Sequence, residues 1–185
     1  GTDTFGVPKG PLDFRASFDS VKYDWENDKF PMLQYEDSIV YGIHVRGFTM
    51  HASSGVKGKG TFAGLIEKIP YLHDLGITTI ELQPIYEFNE MPKQKTEKKN
   101  NPTLTEVPKL NYWGYQEAYY YAPKRAYSLG DDATVECKNM IKAFHKQNME
   151  VIMQVYFKTD TPVIEIINVL RFWHIVYHVD GFRLI

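Results

Sequence analysis

The chain has 185 residues, 43% apolar and 15% aromatic, with 21 basic against 23 acidic side chains and a formal charge of -2. That is enough apolar matter for one packed domain, and the near-neutral balance excludes the basic field that draws in nucleic acid. No apolar run approaches the ~18 residues of a membrane span, and the single cysteine, Cys137, excludes an internal disulfide. Gly1 is not a natural start, so the lack of a visible signal peptide excludes nothing.

Residues 1–36 lack clear periodicity. Phe14, Phe18, Tyr23, Trp25 and Phe30 are scattered among Asp, Lys and Pro, which reads as an extended segment. Ile39 to Phe48 is β-branched and apolar enough for a buried parallel strand. Thr61 can cap a helix whose face is Phe62, Leu65, Ile66, Ile69 and Leu72, closed by Gly76 and kinked at Pro70. Ile77 to Ile85 is a second strand.

Met91 to Lys109 carries Lys93, Lys95, Lys98, Lys99 and three prolines. This composition reads as a solvated polar loop rather than a phosphate site. Asp131 or Asp132 caps the next helix, with Val135, Met140, Ile141 and Phe144 inward and Cys137 as a small core residue. Glu150 to Phe157 is a third strand. Pro162 opens a last helix with a stripe of Val163, Ile166, Ile167, Leu170 and Tyr177. Gly181 to Ile185 is a fourth strand.

The order βαβαβαβ specifies an α/β fold with a parallel sheet and right-handed crossovers. An open doubly wound sheet would want a phosphate turn after its first strand. Ser54 to Gly60 is glycine-rich but fits neither the Walker pattern nor GxGxxG. A TIM (β/α)8 barrel needs eight units and ~250 residues. Four strands and three helices make half of one. The reading is therefore an irregular extension over 1–36 followed by a half barrel over 37–185. Its open edges would be rich in Val, Ile and Phe, with an apolar face toward the missing interior. A homodimer, a partner chain that completes the barrel, or the remainder of a longer polypeptide is expected on that ground.

Several stretches together resemble the α-amylase superfamily, within it the isoamylase, pullulanase and glycogen-debranching branch. They are Trp25 to Asp28 with Tyr41 to Thr49, Leu72 to Thr78 with Glu81 to Ile85, Asn111 to Tyr115 with Tyr121 to Pro123, and Tyr177 to Arg183. The resemblance implies an α-glucan or maltooligosaccharide ligand and no cofactor. It leaves localisation open, since glucan enzymes of this branch occur both inside cells and secreted. It makes Tyr115 and Trp113 candidate sugar-stacking residues, each with a structural reading beside it. It also makes Arg183 the arginine that bonds the nucleophilic carboxylate. His44, in a buried strand, reads as a satisfied core histidine.

The pattern fails where chemistry is needed. The nucleophile position is occupied by Ile185, which has no lone pair, so Arg183 has lost its partner and no catalytic residue is assigned. The strand-three aspartate becomes Gln154, kept as a candidate substrate-binding residue. The following Asn and His become Lys158 and Thr159, a poor calcium neighbourhood, so no metal is expected. Asp160 and Glu87 read as solvated loop acids, and Asp180 lies on the face opposite the chemistry. The expected function is a glycoside hydrolase-like protein of α-glucan metabolism that retains at most glucan binding. The alternatives are a fragment of an active debranching or amylase-type hydrolase and a self-assembling structural half barrel.

Overall fold

The structure, a computed structural model, describes residues 22–91 and 110–185. The polar-loop expectation over 91–109 and most of the N-terminal segment therefore lie outside the described residues. Four strands form one parallel sheet: β1 (Val40–Ile43), β2 (Thr79–Leu82), β5 (Glu150–Val155) and β6 (Gly181–Leu184), in the order β1-β2-β5-β6. The remaining strands, β3 (Tyr86–Glu87) and β4 (Tyr119–Pro123), pair antiparallel in a separate ribbon. Among the described residues the helices are α1 (Val45–Met50), α2 (Phe62–Glu67), α3 (Ile69–Asp74), α4 (Ala133–His145) and α5 (Val163–Tyr177).

The register sorts the sheet into two unlike faces. Ile80, Leu82, Val151, Met153 and Val155 share one face and are fully buried against the helices. Gly42, Glu81, Ile152 and Gly181 are mutual register partners on the other face, joined two residues on by Gln154 and Arg183. The expectation of an apolar inward face is thus wrong. Strand alternation puts Ile80, Leu82, Val151, Met153 and Val155 on the helix side and sets Gly42, Glu81, Gln154 and Arg183 among Val40, Thr79 and Ile152 on the other.

Three local expectations also need correction. The strand read from Ile39 to Phe48 ends at Ile43, because His44 caps a helix in its place: its Nδ1 accepts the Gly47 N–H at 3.0 Å. The predicted kink at Pro70 is a full break at Lys68, with Pro70 in the first turn of α3, where no backbone donor is needed. The stripe of α5 is turned from the predicted one. Val169, Trp173 and Tyr177 are buried, whereas Val163 is 71% exposed. Trp173 fixes that face, since its Nε1 donates to the Tyr120 carbonyl at 2.7 Å. Other expectations hold: Thr61 caps α2, Asp132 caps α4 through the Val135 N–H at 2.9 Å, and Cys137 is fully buried, with its thiol pushed up by that burial.

The glycine-rich stretch before α2 is a packed turn. The Lys57 and Gly58 amides donate to the Glu67 carboxylate at 2.9 to 3.1 Å, and Gly60 donates to Thr49 Oγ1 at 2.8 Å. Gly64 lies so close that a Cβ there would stand 2.0 Å from the Gly58 carbonyl oxygen, while a Cβ at Gly42 meets nothing within 4 Å. Gly64→Ala is therefore expected to destabilise by about 1–3 kcal/mol despite better helix propensity, and Gly42→Ala to be near neutral. Urea unfolding of the two variants checks this; equal midpoints would contradict the packing described.

Candidate functional site

Four side chains meet beyond the polar face, toward the carboxyl ends of the strands. Glu81 comes from β2, Gln154 from β5 and Arg183 from β6, while Tyr115 enters from the loop before β4. Gln154 Nε2 donates to Glu81 Oε1, and the Tyr115 hydroxyl donates to Gln154 Oε1. Arg183 donates to the same Glu81 oxygen at 3.0 Å. Glu81 and Gln154 are buried, whereas the Arg183 side chain is 62% exposed. Burial raises the Tyr115 phenol above its ordinary range, with Arg183 acting against that shift and Glu81 with it. The cluster thus holds one buried anion, one half-solvated cation and two neutral hydrogen-bonding groups.

Sequence reasoning missed Glu81 and consequently misjudged Arg183. An acid inside Ile-Thr-Thr-Ile-Glu-Leu looks like a solvent-side residue of a strand. The signal available was its alternation parity with Gln154 and Arg183 once the strands are aligned in parallel. Arg183 has not lost an anionic partner; Glu81 of β2 supplies one from across β5. Ile185 follows β6, donates its N–H to the Val155 carbonyl at 3.0 Å, and leaves its side chain 48% exposed.

The loop carrying Trp113 and Tyr115 is held by a close approach. Gly114 has φ +78°, and a Cβ there would stand 2.5 Å from the Phe88 ring, so a side chain is excluded. Gly114 is also bonded at both ends, from its N–H to Asn111 Oδ1 at 3.2 Å and from Tyr86 Oη to its carbonyl at 3.3 Å. Trp113 is 51% exposed and stands edge-on to Tyr112 and His44. It is not brought into hydrogen-bond contact with the cluster. His44 is the satisfied core histidine expected: Nδ1 accepts from Gly47, Nε2 donates to the Tyr112 carbonyl at 2.9 Å, and burial lowers its pKa.

Glu87 is not a loop acid. It belongs to β3 and accepts from the buried Lys124 ammonium at 2.7 Å, which also donates to the Phe88 carbonyl. A residue 37 positions away in sequence made this pair illegible. Asp160 is exposed, as expected. Lys158 is exposed and paired with Glu117. Asp180 precedes β6, at the end of the sheet opposite the cluster. No group of three or more His, Cys, Asp or Glu side chains is placed to hold a metal among the described residues, and no described helix is long and apolar enough to cross a membrane. Two buried polar atoms lack a hydrogen bond among those residues: Arg46 Nη2 and Gln83 Oε1, the latter just beyond the end of β2.

The family model described as the alpha-amylase catalytic domain matches residues 35–158. The chain belongs to this alpha-amylase family. Isoamylase 1 of Arabidopsis thaliana chloroplasts is 31% identical over 88% of this chain and 26% of its own length. The glycogen operon protein GlgX homolog of Haemophilus influenzae is 35% identical over 77% of this chain and 21% of its own. Among solved structures, the pullulanase of Paenibacillus barengoltzii in complex with maltohexaose and alpha-cyclodextrin superposes with TM-score 0.69 at 26% identity, over 86% of this chain and 32% of that one. The chain spans about a quarter of the length of the curated relatives just named. The α/β fold, with its parallel sheet and flanking helices, is shared with the pullulanase catalytic domain.

The cluster's single anion gives a test of its electrostatics. Gln154→Glu would set a second carboxylate against Glu81, and two like charges at that distance resist joint ionisation. The sign is destabilising above the carboxylate range and relieved below it. The variant should lose on the order of 1–3 kcal/mol near pH 7 and much less near pH 3. Thermal unfolding at both pH values reads the difference; a loss independent of pH would show that Glu81 and residue 154 do not meet.

Proposed function

We propose that this chain is a section of an α-glucan glycoside hydrolase domain, with residues 37–185 supplying four strands of a (β/α)8 barrel and residues 1–36 an extension. In this reading the Glu81, Gln154, Arg183 and Tyr115 cluster binds a glucosyl unit without forming a covalent intermediate. The observation that carries it is the cluster itself, assembled on three adjacent parallel strands in a member of the alpha-amylase family. Sugar hydroxyls need donors and acceptors fixed in place, and Gln154, Arg183 and the Tyr115 hydroxyl offer both. Gln83 Oε1, buried and without a partner among the described residues, is an acceptor of the kind a sugar hydroxyl would satisfy. Tyr115 and Trp113 add aromatic surface for the apolar faces of glucose rings.

The usual retaining route needs two carboxylates about 5–5.5 Å apart, one of them a nucleophile. Ile185 stands at the nucleophile position and cannot bond a glucosyl carbon. Glu81 cannot readily replace it, since one of its oxygens already accepts from both Gln154 and Arg183. A glycogen debranching enzyme of Pectobacterium atrosepticum is also similar, 28% identical over 87% of this chain. That likeness supports the α-glucan class of ligand.

Calorimetric titration with maltohexaose tests the binding, and reducing-sugar release from pullulan or glycogen tests the chemistry. Heat of binding is expected, weakened by roughly 1–3 kcal/mol in Tyr115→Ala if its ring stacks on sugar as aromatic platforms stack on bases. Absence of heat would overturn the glucan reading. Sugar release would overturn the non-covalent one and favour an active hydrolase.

Apolar surface supports an assembled state. Val163, Ile164 and Ile175 on α5, with Leu184 and Ile185 at β6, are all exposed, and water contact there costs ~25 cal/mol per Å². The rest of a longer polypeptide, a second copy or a partner chain covers this surface in that reading, and the chain by itself is expected to associate in sedimentation. A monodisperse monomer with little dye binding would contradict it.

A further inference from the structure

We propose that residues 22–33 form a proton-locked strap, held across the amino ends of β5 and β6 by a His145 imidazolium shared between Asp28 and Asp180. Loss of that proton to solvent loosens the strap. The cluster lies at the end of the sheet opposite the candidate site and is independent of the glucan reading.

The geometry sets the protonation. His145 Nδ1 is 2.9 Å from Asp28 Oδ2, and His145 Nε2 is 3.0 Å from Asp180 Oδ2. Ionised carboxylates only accept, so both contacts are hydrogen bonds only when both ring nitrogens carry hydrogen. The three side chains are 1%, 2% and 7% exposed in the order His145, Asp28, Asp180. A neutral ring would donate to one carboxylate and turn a lone pair toward the other, leaving a buried charge poorly paired.

Every element packed here contributes to the balance. From the start of β6, Asp180 also accepts the Val151 N–H at 2.7 Å. From the end of α5, His178 Nδ1 stands 2.7 Å from the same Asp28 oxygen, and its ring stacks on Trp25 at 3.7 Å. His174 stacks on Phe30 of the strap and bonds the Val179 carbonyl through Nδ1. On α4, Lys142 and Lys146 each bond Glu26 at 2.9 Å. Their hydrogen bonds, Lys146 first, hold the Glu26 carboxyl down at about 2, so this tether stays ionised throughout. At the far end of the strap, the Leu33 N–H donates to Glu150 of β5 at 2.9 Å.

Burial draws His145 down, but Asp180 and then Asp28 outweigh it, and the net shift is upward. A histidine raised on folding contributes fully below its unfolded value of about 6.5 and loses that contribution as pH climbs through the folded value. The strap is therefore tightest in mild acid and looser in mild alkali.

Long-range proton–nitrogen NMR of His145 and hydrogen exchange of residues 23–33, corrected for intrinsic rates, test this on the full chain. At about pH 6 both ring nitrogens should carry hydrogen, and at about pH 9 one of them; protection of the strap should fall by roughly tenfold or more between the two. Asp180→Asn keeps an oxygen for both the Val151 N–H and His145 Nε2 but removes one of the two charges that hold the proton, and should move the loss of strap protection to lower pH. A singly protonated His145 at pH 6, or equal wild-type protection at both pH values, overturns the proposal. These two readings need only the wild-type chain and decide the matter even if the variant does not fold.

Discussion

Parallel register is the constraint from which the other features follow. Once Gly42, Glu81, Ile152 and Gly181 are opposite one another, alternation leaves no choice of face for their neighbours. Ile80, Leu82, Val151, Met153 and Val155 must meet the helices, and Glu81, Gln154 and Arg183 must meet each other. A shift of one residue in any strand would bury the charges under α4 and α5 and expose the core. The apolar packing and the polar cluster are thus two results of one alignment, and the large buried area on the helix side pins the small cluster on the other.

How much of this was legible depended on the range of the interaction. The four parallel strands and the α4 cap are written locally, in β-branched runs and in Asp132 standing three residues before Val135. His44 shows where local reading errs. Val45 continues an apolar run that reads as strand, yet the imidazole can accept an amide three residues on and starts a helix. The α5 face was misplaced because its helix is apolar nearly all round, so periodicity alone could not choose between Val163 and Trp173; the Tyr120 carbonyl chose. The ribbon of β3 and β4 was invisible because Glu87 finds Lys124 only across a long connection. Glu81 was overlooked for the same reason, its partners being on two strands far along the sequence.

The two ends of the sheet carry different kinds of polar chemistry. At the carboxyl ends, Glu81 shares one oxygen between a neutral amide and a half-solvated guanidinium, which leaves the guanidinium within reach of water and ligand. At the amino ends, Asp28, His145 and Asp180 are almost wholly enclosed, and every contact is internal. The first arrangement suits exchange of partners, the second suits holding the chain in place. This division agrees with the general placement of chemistry and stability on opposite faces of parallel α/β folds.

The turn between α1 and α2 illustrates how a fold can forestall a function. Backbone amides at Lys57 and Gly58 converge as they do in concavities that capture anions. Here Glu67 occupies the cradle from ten and nine residues away. A tethered occupant enjoys an effective concentration in the millimolar range or above, so inorganic phosphate or a nucleotide at lower concentration would be outcompeted without any steric barrier. The turn's converging amides are thus spent on a side chain of the same chain, kept in place by the covalent connection between them.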